Sequence, residues 1–170
     1  MNWGSWLLWG FISTLVMTTL MAVSQGLGWT RLSIPYLLGT MVTPDRGRAK
    51  AYGILIHLVN GYLFSFLYIA IFQSLGMATW WLGALIGAVH AIFFLTAGMW
   101  LMPGIHPHMA SLQHGPTSTR QLEPPGFLAL HYGPSTPISV LLGHVVFGVI
   151  LGAFYNLHSA GRIIPPRAFF

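Results

Sequence analysis

Apolar residues in this chain come in long blocks, not with the two-residue alternation of a half-buried strand. The first block runs from Trp6 to Gly28, long enough to cross a hydrocarbon core about 30 Å thick, which takes roughly 20 helical residues. A second covers Ala51 to Leu75 and a third Trp80 to Met102. The short segment Gly76 to Thr79 joins these two, so they are predicted as an antiparallel pair, and Pro103-Gly104 is predicted to end the third. A fourth block spans Ile138 to Leu157. Backbone polar groups inside a bilayer must be satisfied within the chain. The pattern therefore predicts an all-α integral membrane bundle of four transmembrane helices, in one domain over residues 1–170, with both chain ends on one side. Ala22-Val23-Ser24 resembles a small-residue cleavage site. No Lys or Arg precedes the first block, however, and the block is longer than a signal core, so it is read as a helix.

The segments between the blocks differ in kind. Leu32 to Val42 is apolar but broken by Pro35 and Gly39, too short to span, and predicted to lie at the interface or re-enter slightly. Thr43 to Lys50 is predicted as a charge-dense loop. Gly104 to Pro137 is rich in Pro, Gly, His, Ser and Thr, a polar loop of a length that usually signals function or disorder. Trp3, Trp6, Trp9, Trp80 and Trp81 fall at one expected membrane boundary, Trp29 and Trp100 at the other, as in aromatic belts.

Composition removes the alternatives. Only 5% of residues are charged and 55% are hydrophobic, against about a quarter charged in a soluble domain. The net charge of +5 rests on 7 basic and 2 acidic residues, too sparse for the dense basic stripe of a nucleic-acid binder. The basic excess is read as topology. Arg31, Arg46, Arg48, Lys50 and Arg120 lie in the loops after the first and third spans, opposite Arg162 and Arg167. The positive-inside rule then places those loops in the cytoplasm and both termini outside. Cysteine is absent, which removes disulfides, thiolate metal sites and a cysteine nucleophile.

Histidine carries the remaining chemistry, with 8 in the chain. The second and fourth spans share the pattern H-x-V-x-G-x6-Y: His57, Val59, Gly61 and Tyr68, then His144, Val146, Gly148 and Tyr155. This spacing keeps His, Gly and Tyr on one helical stripe. A duplication of two tandem helical hairpins would account for it, with Gly10-Phe11-Ile12-Ser13 of the first span matching Gly87-Ala88-Val89-His90 of the third only weakly. His57 and His144 are expected about 10 Å inside the loop-side boundary, with His90 somewhat deeper. Ionisable groups inside a bilayer are costly and tend to face the bundle interior, so His57, His90 and His144 are the candidate cofactor-binding residues; the plainer alternative is hydrogen bonding between helices. Imidazole-only ligation suits a transition metal, axial ligation of a haem between His57 and His144 with Gly61 and Gly148 making room, or a chlorophyll-type pigment. In the long loop, His106, His108 and His114 form a candidate metal set with Asp45 or Glu123, set against an irregular surface loop. No catalytic residue is assigned: the two acids form no acid–base pair, no G-x-S-x-G elbow occurs and no phosphate-binding glycine loop with Lys is present.

Leu38-Gly39-Thr40-Met41-Val42-Thr43-Pro44-Asp45-Arg46, His57-Leu58-Val59-Asn60-Gly61, Pro103-Gly104-Ile105-His106-Pro107, Leu122-Glu123-Pro124-Pro125-Gly126-Phe127 and the His144 helix together resemble a family of small bacterial membrane proteins of uncharacterised function. The resemblance covers most of the chain. It implies a four-helix membrane fold and a bacterial inner membrane, with the termini then periplasmic; it implies no activity. The expectation is a non-catalytic subunit of a larger membrane complex, in contact with lipid and with other subunits or itself, in an electron-transfer or energy-transducing setting. The rival expectations are a stand-alone His-ligated redox enzyme and a proton or metal channel gated by His.

Overall fold

The computed structural model describes residues 1–111 and 114–157. Each helix starts on a residue suited to the task. Asn2 accepts the Ser5 N–H at 3.0 Å and opens α1 (Trp3–Gly26). Ser33 caps the short α2 (Ile34–Gly39), and Asp45 caps α3 (Arg46–Leu75) by accepting the Arg48 N–H at 2.8 Å. Gly76, at φ 66°, ends α3 in the left-handed region that favours glycine. Thr79 caps α4 (Trp80–Phe93), which passes through a π-helical turn at Phe94–Gly98 into α5 (Met99–Ile105). A 3-10 segment at Phe127–Tyr132 precedes α6 (Thr136–Phe154).

Four rods, Trp3–Gly26, Arg46–Leu75, Trp80–Ile105 and Thr136–Phe154, are long and apolar enough to cross a membrane. Their outer surface keeps Leu7, Leu55, Leu63, Trp80, Val89 and Ile138 exposed, as lipid-facing side chains must be. The chain is a multi-pass membrane protein built as an all-α four-helix bundle.

Several expected boundaries move. Arg46 to Lys50 form the first turn of α3 instead of a loop, because Asp45 supplies the cap directly before them. Pro103 does not stop the third rod: the helix continues to Ile105, and the His106 N–H donates to the Met102 carbonyl at 2.9 Å. The fourth span ends at Phe154, where Tyr155 turns extended. His158 and the basic tail with Arg162 and Arg167 lie outside the described residues.

Packing follows the expected hairpins, with α1 against α3 and α4 against α6, while α1 against α6 joins the two pairs. The fourth corner differs. Although a tight turn connects α3 and α4, their backbones scarcely approach one another. Glycine explains where helices do close. A Cβ on Gly83 would strike the Gly148 carbonyl, and one on Gly152 would strike that of Thr79, so α4 and α6 meet backbone to backbone. In the first hairpin, a Cβ on Gly61 would overlap the Thr14 side chain. Gly61 thus meets Thr14 as Gly148 meets Gly83, which makes Thr14 and Gly83 the packing counterparts. The weaker sequence match of Gly10–Ser13 with Gly87–His90 is not the one this packing makes.

Candidate functional site: a histidine cleft at the open corner

Because α3 and α4 diverge, a partly open cavity of about 90 Å³ remains between them. Its wall is mostly apolar, with Met17 and Met21 from α1 and Phe147 from α6. His57, Asn60, His90 and His144 supply the polar groups, together with Thr18. The sequence-derived histidine set is therefore brought together in one space. Asn60 and Phe64 of α3, His90 of α4 and Phe94 of the π turn keep some exposure, whereas Gly61 is buried and His57 is 8% exposed.

Each imidazole stands in a different relation to its neighbours. The His144 Nδ1–H donates to the Val140 carbonyl one turn back at 2.8 Å, so Nε2 keeps its lone pair. His90 Nδ1 lies 3.1 Å from the Tyr68 hydroxyl. The His90 ring lies against Phe64 with centroids 4.3 Å apart and meets His144 edge to face at 4.6 Å. His57 and Asn60, one turn apart on α3, make no hydrogen bond among the described residues. Their unpaired atoms keep some accessible surface, since no fully buried side-chain nitrogen or oxygen among the described residues lacks a partner.

Two features of the backbone shape the cleft. The π turn begins at Phe94, whose ring lies 5.8 Å from that of His144; single π turns inside helices often mark functional positions. At the loop side, α2 lies across the cavity through Ile34, Pro35, Leu37 and Leu38. It sits there because Gly39 and Gly53 carry no Cβ: one on Gly39 would land on the Ala49 carbonyl, and one on Gly53 on that of Pro35.

The loop histidines have other work. His106 is 4% exposed; its Nε2–H donates to the Leu37 carbonyl at 2.9 Å, and its Nδ1 accepts the His108 N–H at 3.1 Å. Burial holds the His106 pKa below its ordinary value, and nearby His108 acts in the same direction, while the bond to Leu37 opposes both. The His108 Nδ1–H donates to the Thr40 carbonyl at 2.5 Å, so both residues rivet the long loop to α2. His114 stands apart in an exposed turn with Ser111. The two acids are also engaged, Asp45 in capping α3 and Glu123 with Arg31 at 3.2 Å. Among the described residues, no three His, Asp or Glu side chains gather where one ion would touch them all.

Phe64 and Phe94 escaped the sequence reading, as did the role of α2. The spacing His57, Asn60, Phe64, Tyr68 was available as a signal, since it follows one helical stripe. The π turn left no signal of comparable clarity. Comparison of the chain with family models, curated proteins and solved structures gave no match.

Proposed function

We propose that this chain is a non-catalytic subunit of a larger membrane complex, and that its His57–His90–His144 cleft holds the polar head of a lipid-soluble ligand. The observation that carries this reading is the pair His57 and Asn60, which line an intramembrane cavity without a hydrogen-bond partner among the described residues. Accessible polar atoms that no neighbour engages are free to meet a ligand, which fits a binding role better than a structural one. Chemistry narrows the ligand. Asn60 offers both a donor and an acceptor, His57 one of each, and His144 Nε2 only a lone pair. A head bearing both a hydroxyl and a carbonyl oxygen, of the kind found on a hydroxyl-substituted quinone or a hydroxy-keto isoprenoid, meets all three. The lining that surrounds these groups is apolar, and the partly exposed residues of α3 and α4 flank a path from the lipid.

The space also ranks the cofactors expected from sequence. A cavity of about 90 Å³ falls short of the roughly 300–1,000 Å³ usual for whole organic ligands. A haem or chlorophyll-type pigment therefore requires α3 and α4 to part further. Gly61 and Gly148 offer it no room, because Thr14 and Gly83 already occupy theirs. A transition metal would have to rely on two histidines, such as His57 and His144. The cap of α2 over the loop-side end argues against a continuous channel.

Native mass spectrometry of the chain extracted from its own membrane in mild detergent tests the proposal. The expected spectrum shows a bound organic molecule on the wild-type chain, lost in the variant His57→Leu with Asn60→Leu, while partner subunits remain. A wild-type chain that carries no small molecule, or the same molecule in both proteins, would overturn it. A haem or metal mass would replace the ligand class.

A further inference from the structure

The strongest feature outside the histidine cleft is a second cleft at the loop-side end of the bundle. It has a volume of about 570 Å³ and is lined by Gln25, Ser33, Tyr36, Arg46, Lys50 and Gln121, with the backbone of Gly47. Four chain segments meet there: the end of α1, the start of α2, the first turn of α3 and, through Gln121, the long loop. The backbone contacts at Gly39 and Gly53 press α2 onto α3, which sets Ser33 and Tyr36 beside Arg46 and Lys50.

We infer that this cleft binds the phosphate of an anionic phospholipid headgroup. Arg46 and Lys50 are four residues apart in α3 and so project on one side of the helix. No acidic residue lines the cleft. The chain has only 2 acids, and both are committed, Asp45 to the Arg48 N–H and Glu123 to Arg31. The Arg46 guanidinium reaches only the neutral Gln121 side chain, at 3.3 Å, and Lys50 has no partner among the described residues. Basic residues in the first turn of a helix add to the positive end of its dipole instead of offsetting it. The cleft therefore sets two cations, Arg46 and Lys50, against the single carboxylate nearby, the Asp45 cap beside Gly47, and the polar side chains of Ser33 and Tyr36 line it with them.

Its level in the bundle selects the source of the phosphate. Gln25 lies at the end of α1, four residues before the exposed Trp29, so the cleft stands at the height of the loop-side tryptophan belt. Lipid headgroups occupy that height, and exposed Met41 and Val42 follow α2 nearby. An arginine can grip a phosphate through two parallel N–H bonds while a lysine acts as a point charge.

The full chain in mild detergent, titrated separately with phosphatidylglycerol, phosphatidylcholine and inorganic phosphate under native mass spectrometry, tests this inference. Phosphatidylglycerol is expected to bind and phosphatidylcholine is not. Lys50→Gln should weaken the adduct roughly fivefold, and Lys50→Gln with Arg46→Gln roughly thirtyfold, at about one basic contact's worth each. Arg120→Gln, which removes a charge elsewhere in the loops, should leave it unchanged. Equal binding of both lipids, an equal loss in Arg120→Gln, or displacement by inorganic phosphate at matched concentration would each overturn the assignment. Cleft residues Arg46 and Lys50 are exposed, and a thermal unfolding curve for each variant separates lost binding from lost fold.

Discussion

The α4–α6 interface and the α3–α4 corner are made of the same kind of apolar helix, yet one is shut and the other gapes. At the shut interface, Gly83, Gly87, Gly148 and Gly152 let carbonyls of one helix sit where Cβ atoms of the other would be. At the open corner, contact depends on side chains: Phe64 against His90, and Tyr68 hydrogen-bonded to it. Lipid tails are as apolar as Leu, so hydrophobicity alone drives neither pairing. What decides is how close two backbones come. Small residues leave no space for a ligand, while large aromatic and imidazole rings hold the helices apart and give a mostly apolar space its few polar groups.

The contrast can be broken most forcefully at the shut interface. Gly148→Leu drives a side chain into the Gly83 backbone and is expected to destabilise the fold by roughly 3 kcal/mol, the upper end for overpacking. Chemical denaturation in detergent micelles would measure it, and a loss under about 1 kcal/mol would mean that α4 and α6 can slide apart.

A smaller effect is expected from acid at the loop that braces the cap. Burial keeps His106 neutral in the folded loop, below its ordinary pKa, whereas the released loop takes up a proton as pH falls through about 6.5. Attachment is thus full above that value and is lost progressively as pH drops below it. Hydrogen exchange at His106 and at His108 to Ala110, taken relative to the intrinsic base-catalysed rate, should accelerate severalfold between pH 7.5 and 5.5. Unchanged exchange, or the same acceleration in His106→Gln, would remove His106 as the cause.

At the open corner the expected changes in stability are slighter still. Tyr68→Phe deletes the hydroxyl beside His90 and should cost about 0.6 kcal/mol, the average for hydrogen bonds between helices in a bilayer. The smallest effect belongs to His57→Leu, expected within about 0.5 kcal/mol of the wild type in stability, because His57 has no hydrogen bond to lose among the described residues. A large loss there would reveal a structural histidine and erase the contrast between the two interfaces.

The number and approximate limits of the spans were legible because a bilayer imposes a length and a composition that few other environments demand. The shared stripe of His57, Gly61 and Tyr68 was legible for the same reason that any helical face is: spacing fixes direction. What spacing left open was which helix each face meets. Gly61 and Gly148 read equally well as room for a ring or as contact points, and only Thr14 and Gly83, far away in sequence, decide between them. The start of α3 was misread for a local reason, since a run of charges looks like a loop unless the Asp45 cap before it is weighed. The loop histidines depended on α2, whose carbonyls at Leu37 and Thr40 receive them.

The clamp of α2 onto α3 has a kinetic consequence. With Gly39 against Ala49 and Gly53 against Pro35, the cap has no slack to lift as a rigid piece, which leaves the side path as the cheaper way in. A ligand that uses it has already dissolved in the bilayer, so its rate of entry would scale with its mole fraction among the lipids. Two molecules of equal affinity would then fill the cleft at rates set by how well each partitions into the membrane.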